Sequence, residues 1–181
     1  MPFRFTRLVL AAAVIVALGA CASGVTRMEA PAAAGTPPVA PMVSSGPVKA
    51  VTLTLSEDAK KLIADNAKFN PDLLRGTVER LLQAQSLVKP DSTQTMEVEI
   101  TSFRVRSNFS AVMFGFMAGS DNVEGVVTIK GATGAVVKRA LVKASYALGG
   151  FGGGQDEARM TWLYEEFAKH ALAEVTGQPA K

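Results

Sequence analysis

The sequence predicts an α+β fold in two layers: a small, mostly antiparallel sheet with helices on one face, preceded by a signal peptide and a disordered tether. Three observations carry this. Apolar residues alternate with polar ones at period two near residues 51–55 and 96–105, and the Gly131–Gly134 turn joins two further strand-like stretches, 123–130 and 136–148, into a hairpin. Helical periodicity fills the gap between the first two of these stretches and returns at the end of the chain. Before Val48 neither period is present. A strand, helices, three strands and a helix, in that order, make a sheet that buries one face under its helices. The first and second strands are joined by a helical crossover and are expected to pair in parallel.

The chain begins with Arg4 and Arg7, followed by the uncharged run Leu8–Leu18 (LVLAAAVIVAL) and then Gly19-Ala20-Cys21. A basic start, a short apolar run and a small-residue exit form a secretory signal, too short for a membrane span. Cys21 is the only cysteine, so no disulfide is available within the chain. Leu18-Gly19-Ala20-Cys21 resembles the bacterial lipobox. That resemblance implies thioether lipidation of Cys21, cleavage before it and acylation, for example by palmitate, of the new amino group. More than one acyl chain makes such an anchor stable. Ala22 follows the cysteine, which in lipoproteins of the enteric type implies sorting to the outer membrane.

Residues 1–20 are thus read as the signal peptide, 21–47 as the lipidated cysteine and a Pro/Ala-rich tether, 48–177 as the globular domain and 178–181 as a tail. The formal charge of +3 comes from 19 basic and 16 acidic residues. Two of the arginines lie in the signal, so the remainder is close to neutral and carries no electrostatic footprint for nucleic acid. Pro31, Pro37, Pro38, Pro41 and Pro47 exclude a continuous helix from the tether. As a coil it would reach roughly 30 Å, enough to hold a domain clear of a lipid surface.

Each element of the domain has a local reason. Val51, Leu53 and Leu55 alternate with Thr52 and Thr54. Ser56 offers an N-cap, with Glu57 and Asp58 in the first turn of a helix expected to run to Ala67. Asn70-Pro71 starts a second helix, and Lys89-Pro90-Asp91 is expected to end it. Met96, Val98 and Ile100 lie on one strand face, with Glu97 and Glu99 opposite. The apolar phase then moves to Phe103 and Val105, with Arg104 and Arg106 on the other side, which predicts a bulge at Thr101-Ser102. Gly131–Gly134 turns one strand into the next. Asp156 is read as the cap of a last helix whose apolar face is Met160, Leu163, Tyr164, Phe167, Ala171, Leu172 and Val175. Gly177 is expected to stop it.

From Val48 to Gly177 the order of features resembles an uncharacterised bacterial lipoprotein family, domain of unknown function 4410. The resemblance is carried by the arginine-bearing strand Phe103-Arg104-Val105-Arg106, the glycine-containing loop to Asp121 and the strand Val123–Ile129. The Thr133-Gly134 turn, the Gly-rich loop and the Tyr164–Val175 helix complete it. It implies a lipid anchor and assigns no activity and no catalytic residue.

Candidate chemistry is sparse. GGFGGG at 149–154 precedes a helix, as phosphate loops do, but Gln155-Asp156-Glu157 stands where a lysine and a hydroxyl would be needed. His170 has Glu166 and Glu174 one turn away on either side; with no second histidine or any other cysteine nearby, this reads as a solvated helix face rather than a metal site. Glu97 and Glu99 read as the solvent face of a strand. No catalytic residue, metal site or cofactor is expected. The unusual segment is Asn108–Ser120, NFSAVMFGFMAGS, which carries Phe109, Met113, Phe114, Phe116 and Met117 without a charge. Loops are normally polar. Either this one folds under the sheet as core, or it is a contact surface for a partner or lipid. The expected function is that of a non-enzymatic outer-membrane lipoprotein facing the periplasm. It would be held to the membrane through Cys21 and act through protein–protein contacts with an envelope partner. The alternative is a carrier or receptor for a small apolar ligand or lipid. A direct consequence is that Cys21→Ser should yield unprocessed, unlipidated precursor. Mass spectrometry of the N-terminus checks it, and cleavage elsewhere or an unmodified Cys21 would refute it.

Overall fold

The computed structural model describes residues 23–28, 45–107, 109, 113, 119–147 and 156–178. These form five strands and three helices in the order β1 (Gly24–Met28), β2 (Val51–Leu55), α1 (Glu57–Leu62), α2 (Pro71–Ala84), β3 (Thr95–Arg104), β4 (Asp121–Lys130), β5 (Val136–Tyr146) and α3 (Asp156–Thr176). The strands make one sheet in the order β1-β5-β4-β3-β2. β3, β4 and β5 are an antiparallel meander, and β2 lies parallel to β3, as the helical crossover requires. The fold is the α+β class that the alternation predicts.

The core lies between one face of the sheet and the helices. Met96, Val98, Ile100, Phe103, Val123, Val127, Ile129, Val142 and Ala144 meet Leu74, Val78 and Leu82 of α2 and Leu163, Tyr164, Phe167, Ala171 and Val175 of α3. Burying these apolar faces is the main favourable term in forming the domain. Phe69, just before α2, stacks on Phe103 with ring centroids 4.0 Å apart and meets Tyr164 edge-on at 5.9 Å. The Tyr164 hydroxyl accepts the Asn70 N–H at 2.7 Å, and burial pushes this phenol above its ordinary pKa. Its polar tip is therefore satisfied at the point where α2 begins.

The bulge stands where the apolar phase shifts. The β3–β4 register slips between Ile100 and Ser102, which returns Phe103 to the core side after Ile100. Gly125 pairs with Ile100 here, and a Cβ on it would lie 2.9 Å from the Glu99 carbonyl oxygen. Only glycine lets the two backbones approach this closely.

Three boundaries differ from expectation. α1 ends at Leu62, not Ala67, because the Asn66 amide donates to the Leu62 carbonyl at 3.0 Å while its Oδ1 accepts the Val105 N–H at 2.9 Å. A side chain that satisfies the backbone in this way ends the helix. α2 ends at Ala84, ahead of Lys89-Pro90. Ser86 takes a left-handed φ of 57°, and the Ser86 and Leu87 N–H groups donate back to Gln83 and Leu82. This is the Schellman closure, here without glycine. Asp156 is the first residue of α3 rather than its cap, while Gly177 ends that helix with a φ of 72°.

The largest difference concerns the segment read as tether. Gly24–Met28 is an edge strand, paired with β5 from Gly24–Lys143 to Met28–Arg139. Ser45 is also buried and donates both its N–H and its hydroxyl to the Val175 carbonyl. Proline placement and scattered apolar residues give no strand signal here, because an edge strand buries little and draws its stability from the backbone of its neighbour.

Phe167 is fully buried, whereas the Lys169 side chain on the same helix is half-exposed. Phe167→Ala should cost about 3 kcal/mol or more, whereas Lys169→Ala should stay within about 0.5 kcal/mol. Denaturant melts check this, and equal losses would contradict the helix orientation.

Candidate functional site

The exit of β3, the entry of β4, the exit of β5 and the start of α3 all lie at one end of the sheet. The antiparallel register dictates this: Arg104 pairs with Asn122, and Asp121 with Tyr146. This end holds a buried charge cluster. Asp121 is fully buried, Arg106 is 3% exposed and Arg159 2%. The Asp121 carboxylate accepts the Arg106 backbone N–H at 2.6 Å, Arg106 Nη2 at 3.0 Å and Arg159 Nη1 at 3.1 Å. Arg106 also donates to the Gly119 carbonyl at 2.7 Å and the Tyr146 carbonyl at 3.2 Å; Arg159 donates to the Arg106 carbonyl at 3.3 Å. Asp156 supplies a second carboxylate to Arg159 and pairs outward with Lys68. Two buried guanidinium groups thus meet two carboxylates, one of which also takes Lys68 at its outer side, and the arginine donors reach backbone carbonyls at the strand ends. Paired and hydrogen-bonded in this way, buried charge is tolerable.

The alternation had placed Arg106 on the solvent side of its strand. It is buried instead, because β3 ends at Arg104 and the irregular backbone beyond no longer alternates. Arg159 gave a usable signal: it lies four residues before Leu163, on the inward stripe of α3, where a charge needs a buried partner. Gly119, with a φ of 84°, presents its carbonyl to Arg106 from the residue two before Asp121.

A second buried acid lies at the far end of α3. Glu174 is 1% exposed and pairs with Lys138 of β5 at 3.1 Å and Arg27 of β1 at 3.2 Å; Lys138 also donates to the Glu174 carbonyl at 2.7 Å. The reading of Glu166, His170 and Glu174 as a solvated face is therefore corrected: Glu174 is buried, and the Glu166 and His170 side chains are only 23% and 13% exposed. Glu166 approaches His170 at 3.4 Å, but Glu174 is committed to the two cations. Among the described residues, no group of three or more His, Cys, Asp or Glu side chains could hold a metal ion.

Glu97 and Glu99 lie on the sheet face away from the helices, and Glu97 pairs across the strand with Lys130 at 2.7 Å. Of the apolar segment, Phe109 and Met113 have helical backbone and are 66% and 64% exposed, so these two side chains are not core. Phe114, Phe116 and Met117 lie outside the described residues, as do Cys21 and the GGFGGG segment. Among the described residues, no helix is long and apolar enough to cross a membrane.

The sequence profile of the family called Domain of unknown function (DUF4410) matches residues 38–150. The chain belongs to this family. None of the curated proteins compared with it matches. Among solved structures, it is similar to a point variant of the PelC dodecamer from Paraburkholderia phytofirmans, at 13% identity and a TM-score of 0.45, over 83% of this chain and 97% of that one. It is also similar to a second crystal form described as a PelC dodecamer from the same organism, at 12% identity and a TM-score of 0.39 over the same shares.

Removing one member of the charge cluster leaves the others buried without their counter-ion. Asp121→Ala should destabilise this DUF4410 domain by about 3–5 kcal/mol. Glu97→Ala, which breaks a half-exposed pair, should stay within about 1 kcal/mol. Paired denaturant melts test the contrast.

Proposed function

We propose that this protein is a lipid-anchored, non-enzymatic lipoprotein of the outer membrane, facing the periplasm and acting through protein–protein contacts in the envelope. The observation that carries the contact role is the open face of the sheet, which no described helix covers. Glu99, Val126, Leu141 and Thr26 form a row across it in register. Val126 is buried within the row and Leu141 half-buried. Cross-strand pairs flank them, Glu97–Lys130 at 2.7 Å and Glu124–Lys143 at 3.8 Å. Leu141, the partly accessible apolar residue of the row, is rimmed by polar and charged groups, which is the pattern of a protein contact surface. The buried charges support the non-enzymatic reading: Arg106, Arg159 and Asp121 spend their hydrogen bonds on one another and on strand ends. The signal and lipobox support the anchor.

A photo-crosslinking residue at Leu141 or Thr128 in the intact envelope should give a discrete protein adduct, whereas the same probe at Lys169 on the helical side should not. If the sheet-face probes give no adduct and the purified protein releases a bound apolar molecule on denaturation, the carrier reading replaces this one.

A further inference from the structure

We infer that the end of the sheet bearing the Arg106–Asp121–Arg159 cluster faces the lipid bilayer, with Phe109 and Met113 as its membrane contacts. The occupant of this apolar end is therefore the lipid surface itself. The inference rests on the lipid-anchor reading of Cys21 and adds to it an orientation, which the anchor alone does not impose.

Chain direction supplies the argument. β1 runs antiparallel to β5, so its first residues lie beside the last residues of β5. Ser23 is held there on both sides: its hydroxyl accepts the Ser145 N–H at 2.9 Å and faces the Ser145 carbonyl at 3.4 Å. At the other end of the strand, Arg27 grips buried Glu174 through two nitrogens, at 3.2 and 3.3 Å. Cys21 is two residues before Ser23, and two residues of chain span at most about 7 Å. The anchor point thus lies close to the Tyr146 end of β5. A tether that was expected to give about 30 Å of freedom is shortened to a few ångströms by the pairing of β1.

The apolar residues emerge at the same end. Arg106 is bonded to Asp121 and to the carbonyl of Tyr146, and Phe109 follows it by three residues. Phe109 and Met113 are the most exposed of the large hydrophobic side chains among the described residues. The Gly131–Gly134 hairpin, at the opposite end of the ten-residue strand β4, lies roughly 30 Å away. An acyl anchor and two exposed apolar side chains at one end, with the hairpin at the other, make a surface that docks on a membrane when the anchor inserts.

The test uses the full lipidated chain in vesicles of phosphatidylethanolamine and phosphatidylglycerol containing doxyl-labelled lipid. Because the Cys21 thiol is consumed by the thioether, Met113→Cys or Ala135→Cys supplies a single free thiol for an environment-sensitive fluorophore. Co-sedimentation reports the anchor and quenching reports the orientation. The label at position 113 should be blue-shifted and quenched several-fold more than the label at position 135. A twenty-residue Gly-Ser insert after Ala22 adds about 25 Å of reach. It should leave sedimentation and the melting curve unchanged while removing the excess quenching at position 113. Sedimentation with equal quenching at the two positions would overturn the orientation and leave the anchor intact. Failure to sediment would overturn the anchor reading and the orientation with it. A label at position 113 that stays in water on vesicles but crosslinks to an envelope protein would overturn the lipid contact and assign Phe109 and Met113 to a protein partner.

Discussion

One carboxylate organises the end of this domain. Asp121 opens β4 and receives both buried arginines, one from the exit of β3 and one from the first turn of α3. Through Arg106 it also reaches Gly119 and Tyr146, so that the ends of three strands and the start of the last helix are joined at one buried point. A hydrophobic cluster could fill the same volume with comparable or greater stability. Charges add direction: a guanidinium fork accepts partners only along its N–H bonds, so the backbone leaving each strand has one permitted course. Phe109, three residues beyond Arg106, is the most exposed large hydrophobic side chain among the described residues.

The β3 bulge serves the same end. Without the extra residue at Thr101, the alternation running from Met96 to Ile100 would have carried Ser102 and Arg104 inward. The slip brings Phe103 inward to stack on Phe69, and Gly125 across the ladder provides the space. Phe69 in turn leads into Asn70, which caps α2 and donates its N–H to Tyr164 of α3. A single backbone irregularity thereby links the sheet to both long helices.

Buried pairs lie at both ends of α3. The Arg159 end secures the loop roots; the Glu174 end secures the first strand through Arg27 and the fifth through Lys138. The second contact turns the residues just after the proposed anchor from a spacer into part of the sheet. With that strand docked, Gly24–Met28 has a fixed place at the edge of the sheet.

The sequence by itself determined the α+β class, the parallel first pair, the bulge, the Ser56 and Asn70 caps, the core face of the last helix and membership of the DUF4410 family. These depend on the identity of neighbours three to four residues apart or on strict alternation, so they can be read locally. Tertiary structure alone decided the burial of Arg106 and Glu174, the partners of Asp121 and the pairing of Gly24–Met28. Arg106 reads as a surface residue because its partners are 15 and 40 residues away, and Glu174 because Arg27 is 147 residues away. The edge strand has no signature of its own: it is stabilised by hydrogen bonds to a backbone that exists only once β5 has formed. The exposure of Phe109 and Met113, which the sequence left open between core and contact surface, was likewise decided by tertiary structure.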